Sequence, residues 1–223
     1  MKNQYDGELS FGWNLFDGYK QHCTRSFLRS IPDSLVGKKL LDLGCGPGDE
    51  FIEYQSRGAS RIVGLDISPD MISVAKTKAV ADNLYVSDME TLNGLPAKES
   101  FDLVVSKWAI QNVYSYHSFL LRLVQHLNPA AEIVFLWVHP IRQFVEKKRV
   151  GKNYFKQEVV HSVLFDGKVT VAEPSHTFVD FFNPFFLQNF DLISLEEGLS
   201  DGCEEINGDT YPSYLMVRAR LRG

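Results

Sequence analysis

Short, nearly continuous apolar runs recur through the first 138 residues, separated by stretches with helical spacing. Lys39–Leu43, Arg61–Asp66, Leu84–Val86, Phe101–Ser106 and Glu132–Val138 read as strands buried on both faces, because polar alternation is absent from them. A helix of about ten residues is expected to run to Arg57, with Gly58 ending it. Ser68-Pro69-Asp70 opens a second, supplying an N-cap serine, a proline at the first helical position and an acid in the first turn. A third is expected at about His117 to Leu127. Alternating strand and helix predict an α/β fold, a parallel sheet covered by helices on both faces.

The flanks follow other rules. Phe11, Leu15, Tyr19, Phe27 and Leu28 form an apolar stripe from about Leu9 to Ser30, broken by Gly12 and Gly18. It predicts one helix or two before Pro32 and Gly37 interrupt the pattern. Periodicity fails between His139 and Ser175, an irregular stretch longer than an ordinary connection. A helix or two at about Thr177 to Asn189, a strand at about Asp191 to Glu196 and a last strand at about Ser213 to Leu221 complete the pattern. Residues 197–209 are polar and contain glycine, as a long hairpin loop does. Phe178, Phe181, Phe182, Phe185, Phe186 and Phe190 recur at spacings of three and four, which marks core packing rather than a ligand wall. One domain over residues 1–223 is the expectation: a helical cap (1–37), a ligand-binding core (38–138) and a second half (139–223) with a lid-like insertion (139–175).

Composition narrows the function. With 44% hydrophobic residues the chain can fill a substantial core. Its 23 basic and 28 acidic residues leave a net charge of −5, against the basic stripe a nucleic-acid binder carries. Lys147-Lys148-Arg149 reads as a solvated turn, and Arg218, Arg220 and Arg222 as one face of a solvated edge strand. Cys23, Cys45 and Cys203 are too few and scattered for a disulfide framework or zinc site, so no metal is expected. Neither a signal-peptide pattern nor a membrane-spanning run is evident, so a cytoplasmic, reducing location and no membrane partner are expected.

The candidate chemistry lies in Asp42-Leu43-Gly44-Cys45-Gly46-Pro47-Gly48-Asp49. Strand, glycine turn and helix start form a ligand site at the carboxyl end of a parallel sheet. A dinucleotide site would set pyrophosphate there, but Asp42 and Asp49 would flank that anion with like charge. A cationic ligand matches better. Asp66 ends the second strand, where a carboxylate can accept both hydroxyls of a ribose. Asp88 ends the third, with Met89 beside it. One such acid alone would mean a cap or a turn; three on consecutive strands beside a glycine loop mean a site.

These residues resemble the class I S-adenosylmethionine-dependent methyltransferases, especially their small-molecule branch. The resemblance rests on Leu41-Asp42-Leu43-Gly44-Cys45-Gly46-Pro47-Gly48, Gly64-Leu65-Asp66-Ile67-Ser68 with Met71, Asp88-Met89-Glu90 before Leu95-Pro96, and Phe101-Asp102-Leu103-Val104-Val105-Ser106. It implies a doubly wound sheet of seven strands in the order 3-2-1-4-5-7-6, the last antiparallel. It implies that Asp42 and the backbone of Gly44, Cys45, Gly46 and Gly48, with Asp49, face the methionine end of S-adenosylmethionine. Asp66 would take the ribose, Ile67, Ser68 and Met71 the adenine, and Asp88, Met89 and Glu90 its edge. Ser106, Lys107 and Trp108 would stand near the methyl donor, and S-adenosylhomocysteine would be the product. The later half resembles a smaller group through Val138-His139-Pro140-Ile141, Ser175-His176-Thr177 and Pro212-Ser213-Tyr214-Leu215. It departs from that group at Thr177, usually arginine, at Asn183-Pro184, and at Asn189-Phe190, usually glycine-phenylalanine.

Methyl transfer is an in-line displacement, so alignment and desolvation come first. A base is needed only where the acceptor must lose a proton, and His139 and His176 are the candidates. Tyr19, Gln111, Asn112 and Tyr114 are expected in the acceptor pocket, and Tyr5, Trp13 and Tyr19 over the cofactor. The expected activity is methylation of a small molecule by a monomer or homodimer. The alternatives are a non-catalytic S-adenosylmethionine sensor or scaffold and an NAD(P)-dependent oxidoreductase.

Overall fold

The computed structural model describes residues 3–7, 21–147, 152–164, 169–199 and 210–223. Expectations on Trp13, Tyr19, the Lys148-Arg149 pair, Cys203 and the polar loop up to Asp209 fall outside them. The sheet strands are β1 (Lys39–Leu43), β2 (Arg61–Asp66), β3 (Asn83–Val86), β4 (Phe101–Lys107), β5 (Leu127–Val138), β8 (Phe190–Gly198) and β9 (Tyr214–Leu221). They lie in the order β3-β2-β1-β4-β5-β9-β8, parallel except for β9, which runs antiparallel to both neighbours. The central strands are buried along nearly their whole length, which is why they lack alternation.

Helices cover both faces. On one lie α1 (Gln21–Ser30), α2 (Phe51–Ser56) and α3 (Pro69–Thr77), packing Cys23, Phe27, Phe51, Tyr54 and Ile72 against Leu40, Ile62 and Val105. On the other lie α4 (Tyr116–Leu123), α6 (Phe178–Phe181) and α7 (Pro184–Asn189), whose Phe119, Phe181 and Phe186 join Phe135 and Trp137 in the larger core. The phenylalanine cluster is thus core, as its spacing predicts. Ser68 caps α3 by accepting from Met71 N at 3.1 Å, and Asn183 caps α7 by accepting from Phe186 N at 3.1 Å. The Arg57 guanidinium bonds the carbonyls of Leu28 and Ile31 at 2.8 and 2.9 Å and ties the α1 exit to α2.

Several boundaries differ from expectation. The turn after the glycines continues through Glu50, leaving α2 six residues. The helical spacing at Leu120, Leu123 and Leu127 breaks because Leu127 already pairs with Phe101 in the sheet, and β5 runs 12 residues. Asn189 takes no left-handed cap: α7 passes directly into β8, with Phe190 extended at φ −125° and ψ 141°. Arg218 and Arg220 are not on an edge, since β9 lies between β5 and β8. Both bond Glu132, at 2.8 and 2.7 Å. Burial alone would raise the Glu132 carboxyl pKa, but the two guanidinium groups outweigh it and lower it. Arg222 pairs with Asp191.

The stretch from His139 to Ser175 is more regular than its sequence. A short α5 (Pro140–Arg142) runs into a π-helical turn at Gln143–Lys147. Then β6 (Val159–Leu164) and β7 (Val169–Pro174) form a separate antiparallel hairpin. Its inward positions on β6 are Val160 and Ser162, while Val159 and Val163 face out. Glu173 on β7 is also buried, accepting from Ser162 Oγ at 2.9 Å and Gln143 Nε2 at 3.2 Å. A buried polar network inverts the usual apolar-in pattern, so periodicity carries no strand signal there. No helix among the described residues is long and apolar enough to cross a membrane.

Candidate cofactor cleft and acceptor side

The carboxyl ends of β1, β2 and β4 open onto one cleft. Three glycines of the first loop have positive φ: 70° at Gly44, 52° at Gly46 and 73° at Gly48. A Cβ on Gly44 would sit 2.2 Å from Ala109 Cβ, whereas one on Gly46 would meet nothing within 4 Å. Gly44 therefore lets the loop pack, and Gly46 leaves bare backbone facing the cleft. Cys45 is buried and burial raises its thiol pKa well above normal, so it is no nucleophile.

Two buried acids face this backbone. Asp66 accepts from Gly46 N at 2.8 Å through one oxygen and from Ser68 N at 2.9 Å through the other. Burial raises its pKa, and the two N–H bonds act against that rise. The Asp42 carboxyl is pushed up to about 8, first by burial and then by Glu50; the Tyr54 hydroxyl bond (3.2 Å) and Lys107 only partly oppose this. Lys107 pairs with Glu50, and Lys78 with Asp49. The residues at the cleft mouth thus hold four acids against two lysines already bound to acids.

Of the predicted cofactor residues, Asp42, Gly44, Cys45, Gly46, Asp49, Asp66, Ile67, Met71, Met89, Lys107 and Trp108 line the cleft. Trp108 does so with φ at +58°, an uncommon conformation for a bulky residue. The structure uses the others differently. Gly48 packs against the Phe51 ring, leaving no room for a Cβ. Ser68 caps α3 and lies 2.5 Å from Asp6 Oδ1. Asp88 accepts from Glu90 N at 2.8 Å, and Glu90 accepts from Ser115 N at 2.9 Å, so both brace turns. Ser106 is fully buried and donates to the Leu43 carbonyl at 2.8 Å, joining β4 to β1.

The acceptor side departs further. Asn112 reaches the cleft; Gln111 is buried behind it, donating to the Trp108 carbonyl at 2.8 Å. Tyr114 is exposed and does not line the cleft. His139 is engaged at both nitrogens: Nδ1 accepts from Ile141 N at 3.1 Å as the cap of α5, and Nε2 lies 3.2 Å from Glu197. That leaves it no lone pair for a base, and burial lowers its pKa. His176 differs: its ring is buried against Tyr116, centroids 4.5 Å apart, where the main chain of Gln111 and Val113 rather than a carboxylate hydrogen-bonds it, and burial lowers its pKa.

Residues 3–7 lie along this cleft. Tyr5 donates to Asn112 Oδ1 at 3.1 Å, Asp70 accepts from Gly7 N at 2.8 Å, and Gln4 makes two bonds to the Ala172 main chain. Glu50 and Ala109 also line the cleft and escaped the sequence reading. Glu50 announces itself only through its pairing with Lys107, 57 residues away. No cluster of three or more metal-ligating side chains occurs among the described residues.

A methyltransferase-domain family model matches residues 41–135. An uncharacterised protein of Haemophilus influenzae is 32% identical over 140 residues, covering 59% of this chain and 55% of that protein. A demethylmenaquinone methyltransferase of Lactococcus lactis is 32% identical over 152 residues, covering 64% of this chain and 59% of that enzyme. The chain therefore spans little more than half the length of these curated relatives. Among solved structures, an S-adenosylmethionine-dependent methyltransferase from Mesorhizobium loti superposes with a TM-score of 0.71 at 24% identity, over 88% of this chain and 96% of that one. Strand order and cleft define a Rossmann-like methyltransferase fold. Residues 41–135 thus match a methyltransferase domain, and the chain has the fold of an S-adenosylmethionine-dependent methyltransferase structure, as its motifs imply.

Proposed function

We propose that this protein methylates a small molecule, using S-adenosylmethionine held in the cleft at the ends of β1, β2 and β4. The observation that carries the proposal is the pair of buried carboxylates, Asp42 and Asp66, facing bare glycine backbone in one cleft. This donor set fits the cofactor. Burial, then Glu50, pushes the Asp42 pKa up to about 8, and an ammonium or sulfonium would favour its ionised form. Asp66 is fixed by two N–H groups and retains lone pairs for two ribose hydroxyls. Ile67, Met71 and Met89 offer apolar surface to a purine. When bound, S-adenosylmethionine supplies an electrophilic methyl carbon on a sulfur leaving group.

The chain's own work is to bind, orient and exclude water. Lys107 neutralises Glu50 so that the loop's acids can sit together. Residues 3–7 and the β6–β7 hairpin cover the cleft from the acceptor side, the arrangement we assign to a cover within a single domain (1–223). A small acceptor accords with the net charge of −5 and with the relative whose name specifies demethylmenaquinone. We place the protein in the cytoplasm.

Calorimetry with S-adenosylhomocysteine tests the reading. Micromolar binding at one site per chain is expected, and no heat at millimolar ligand would end it. NAD should give none.

A further inference from the structure

S-adenosylmethionine carries an α-carboxylate beside its two positive centres, and the glycine loop offers that anion nothing. The N–H groups of Gly44 and Cys45 donate to the Leu65 carbonyl at 2.7 and 3.1 Å. That of Gly46 donates to Asp66 at 2.8 Å, and that of Gly48 to the Cys45 carbonyl at 2.9 Å. Pro47 has no N–H. A loop that uses every donor internally presents carbonyls to a ligand and cannot cradle an anion. Among the described residues lining the cleft, Asp42, Asp49, Glu50 and Asp66 are acids, and Lys107 is the only cation.

Lys107 is the last residue of β4, two positions beyond Val105, which pairs with Asp42 on β1. It forms an ion pair with Glu50, and both side chains are largely buried. Glu50 stands at the N-cap of α2 but its side chain makes no capping bond; the carboxylate reaches Lys107, 57 residues away, instead. Burial acts to lower the Lys107 pKa, but Glu50, then Asp49 and Asp42, outweigh it and raise it, so the ammonium stays charged. Taking two charges out of water is costly, and such a pair is weak support for a fold. A pair of this kind at a ligand cleft has another use. It is the complement of a zwitterion, because each protein charge can change partner with no charge left alone.

Resting on the methyltransferase reading, we propose that Lys107 and Glu50 are an exchangeable ion pair that receives the amino-acid end of S-adenosylmethionine, Lys107 binding the α-carboxylate and Glu50 the α-ammonium. In the free protein the two charges answer each other and hold the acidic loop together. With ligand, two ion pairs between protein and zwitterion replace one within the protein. The exchange also selects the ligand. A purely anionic tail, such as a pyrophosphate, takes Lys107 and strands Glu50 among three other acids. A purely cationic tail takes Glu50 and strands Lys107. Either leaves a largely buried charge uncompensated, the costly case.

Calorimetry with two ligands tests the exchange. S-adenosylhomocysteine has the amino-acid group, and 5′-methylthioadenosine has the nucleoside and sulfur without it. Lys107→Met should weaken S-adenosylhomocysteine about 30-fold, the effect of one hydrogen bond to a charged group, and leave 5′-methylthioadenosine affinity unchanged. The double variant Lys107→Met/Glu50→Gln separates recognition from mere neutralisation of Glu50. If Lys107 only neutralises Glu50, removing both charges restores S-adenosylhomocysteine affinity; if the pair binds the zwitterion, the double variant stays at least as weak as Lys107→Met. Unaltered S-adenosylhomocysteine affinity in Lys107→Met, an equal loss for both ligands, or recovery in the double variant overturns the proposal. Failure of S-adenosylhomocysteine to bind the unmodified protein overturns instead the reading on which it rests.

Discussion

The cofactor cleft and the acceptor side handle buried polar groups in opposite ways. At the cleft, Asp66 and its neighbours have backbone partners close in sequence. Asp66 is answered by Gly46 and Ser68, Ser68 by Met71, and Asp88 by Glu90, all within 20 residues. On the acceptor side they are distant: Gln4 with Ala172, Tyr5 with Asn112, Gln143 with Glu173. There the Tyr116 hydroxyl and Gln111 Oε1 are buried without a hydrogen-bond partner. A site that must hold its shape before the ligand arrives answers its own polar groups. A surface that keeps hydrogen-bonding capacity free bears a stability cost that a ligand can recover.

The largest test of this contrast is Asp66→Asn. An amide keeps the shape but cannot accept equally through both ends, so S-adenosylhomocysteine should bind about 100-fold or more weakly by calorimetry, two charged hydrogen bonds being at stake. Affinity within a few-fold of the unmodified protein would remove Asp66 from the ribose. Next is Gly44→Ala, whose methyl would press on Ala109 at 2.2 Å in a positive-φ backbone. It should lose about 2 kcal/mol in denaturant unfolding. Gly46→Ala, with open space at its Cβ, should lose less stability and more affinity. Equal losses would show that packing does not separate the two glycines.

Proton linkage gives a third test. Below about 8 the Asp42 carboxyl is protonated, and a bound cation favours its ionised form. Ligand binding then expels a proton, so affinity rises with pH from 6, approaching tenfold per unit, and levels off above about 8. Asp42→Asn should flatten the profile. Without ligand the sign is opposite for stability. Between about 4 and 8 the unfolded chain is ionised and the folded one is not, so this group's contribution falls as pH rises.

Smaller effects separate the two histidines. His139→Gln removes a helix cap and a carboxylate partner and should cost about 1 kcal/mol, with cofactor affinity intact. Loss of turnover without loss of stability would return His139 to the chemistry. Tyr116→Phe removes an unanswered hydroxyl and should raise Tm by about 2–4 °C in a thermal melt, a gain of about 1 kcal/mol. A drop in Tm would mean that the hydroxyl has a partner and that the contrast is weaker than drawn.

The sequence by itself determined the sheet through β5, the cap at Ser68, and the acids and glycines of the cleft. Each depends on neighbours within a turn or a strand. Apolar runs report buried strands directly, and positive-φ glycines need no distant partner to be recognised. Only the tertiary structure decided the rest. Ser106 looked like a cofactor residue and became a strand tie, because Leu43 lies beside it in the sheet. His139 and His176 look alike along the chain. One meets Glu197 across the fold and the other stacks on Tyr116, a difference set by packing between distant segments. The β6–β7 hairpin was illegible because its inward face mixes Val160 and Val171 with Ser162 and Glu173. Polar groups are buried where others can answer them, and which others are near is a property of the folded chain alone.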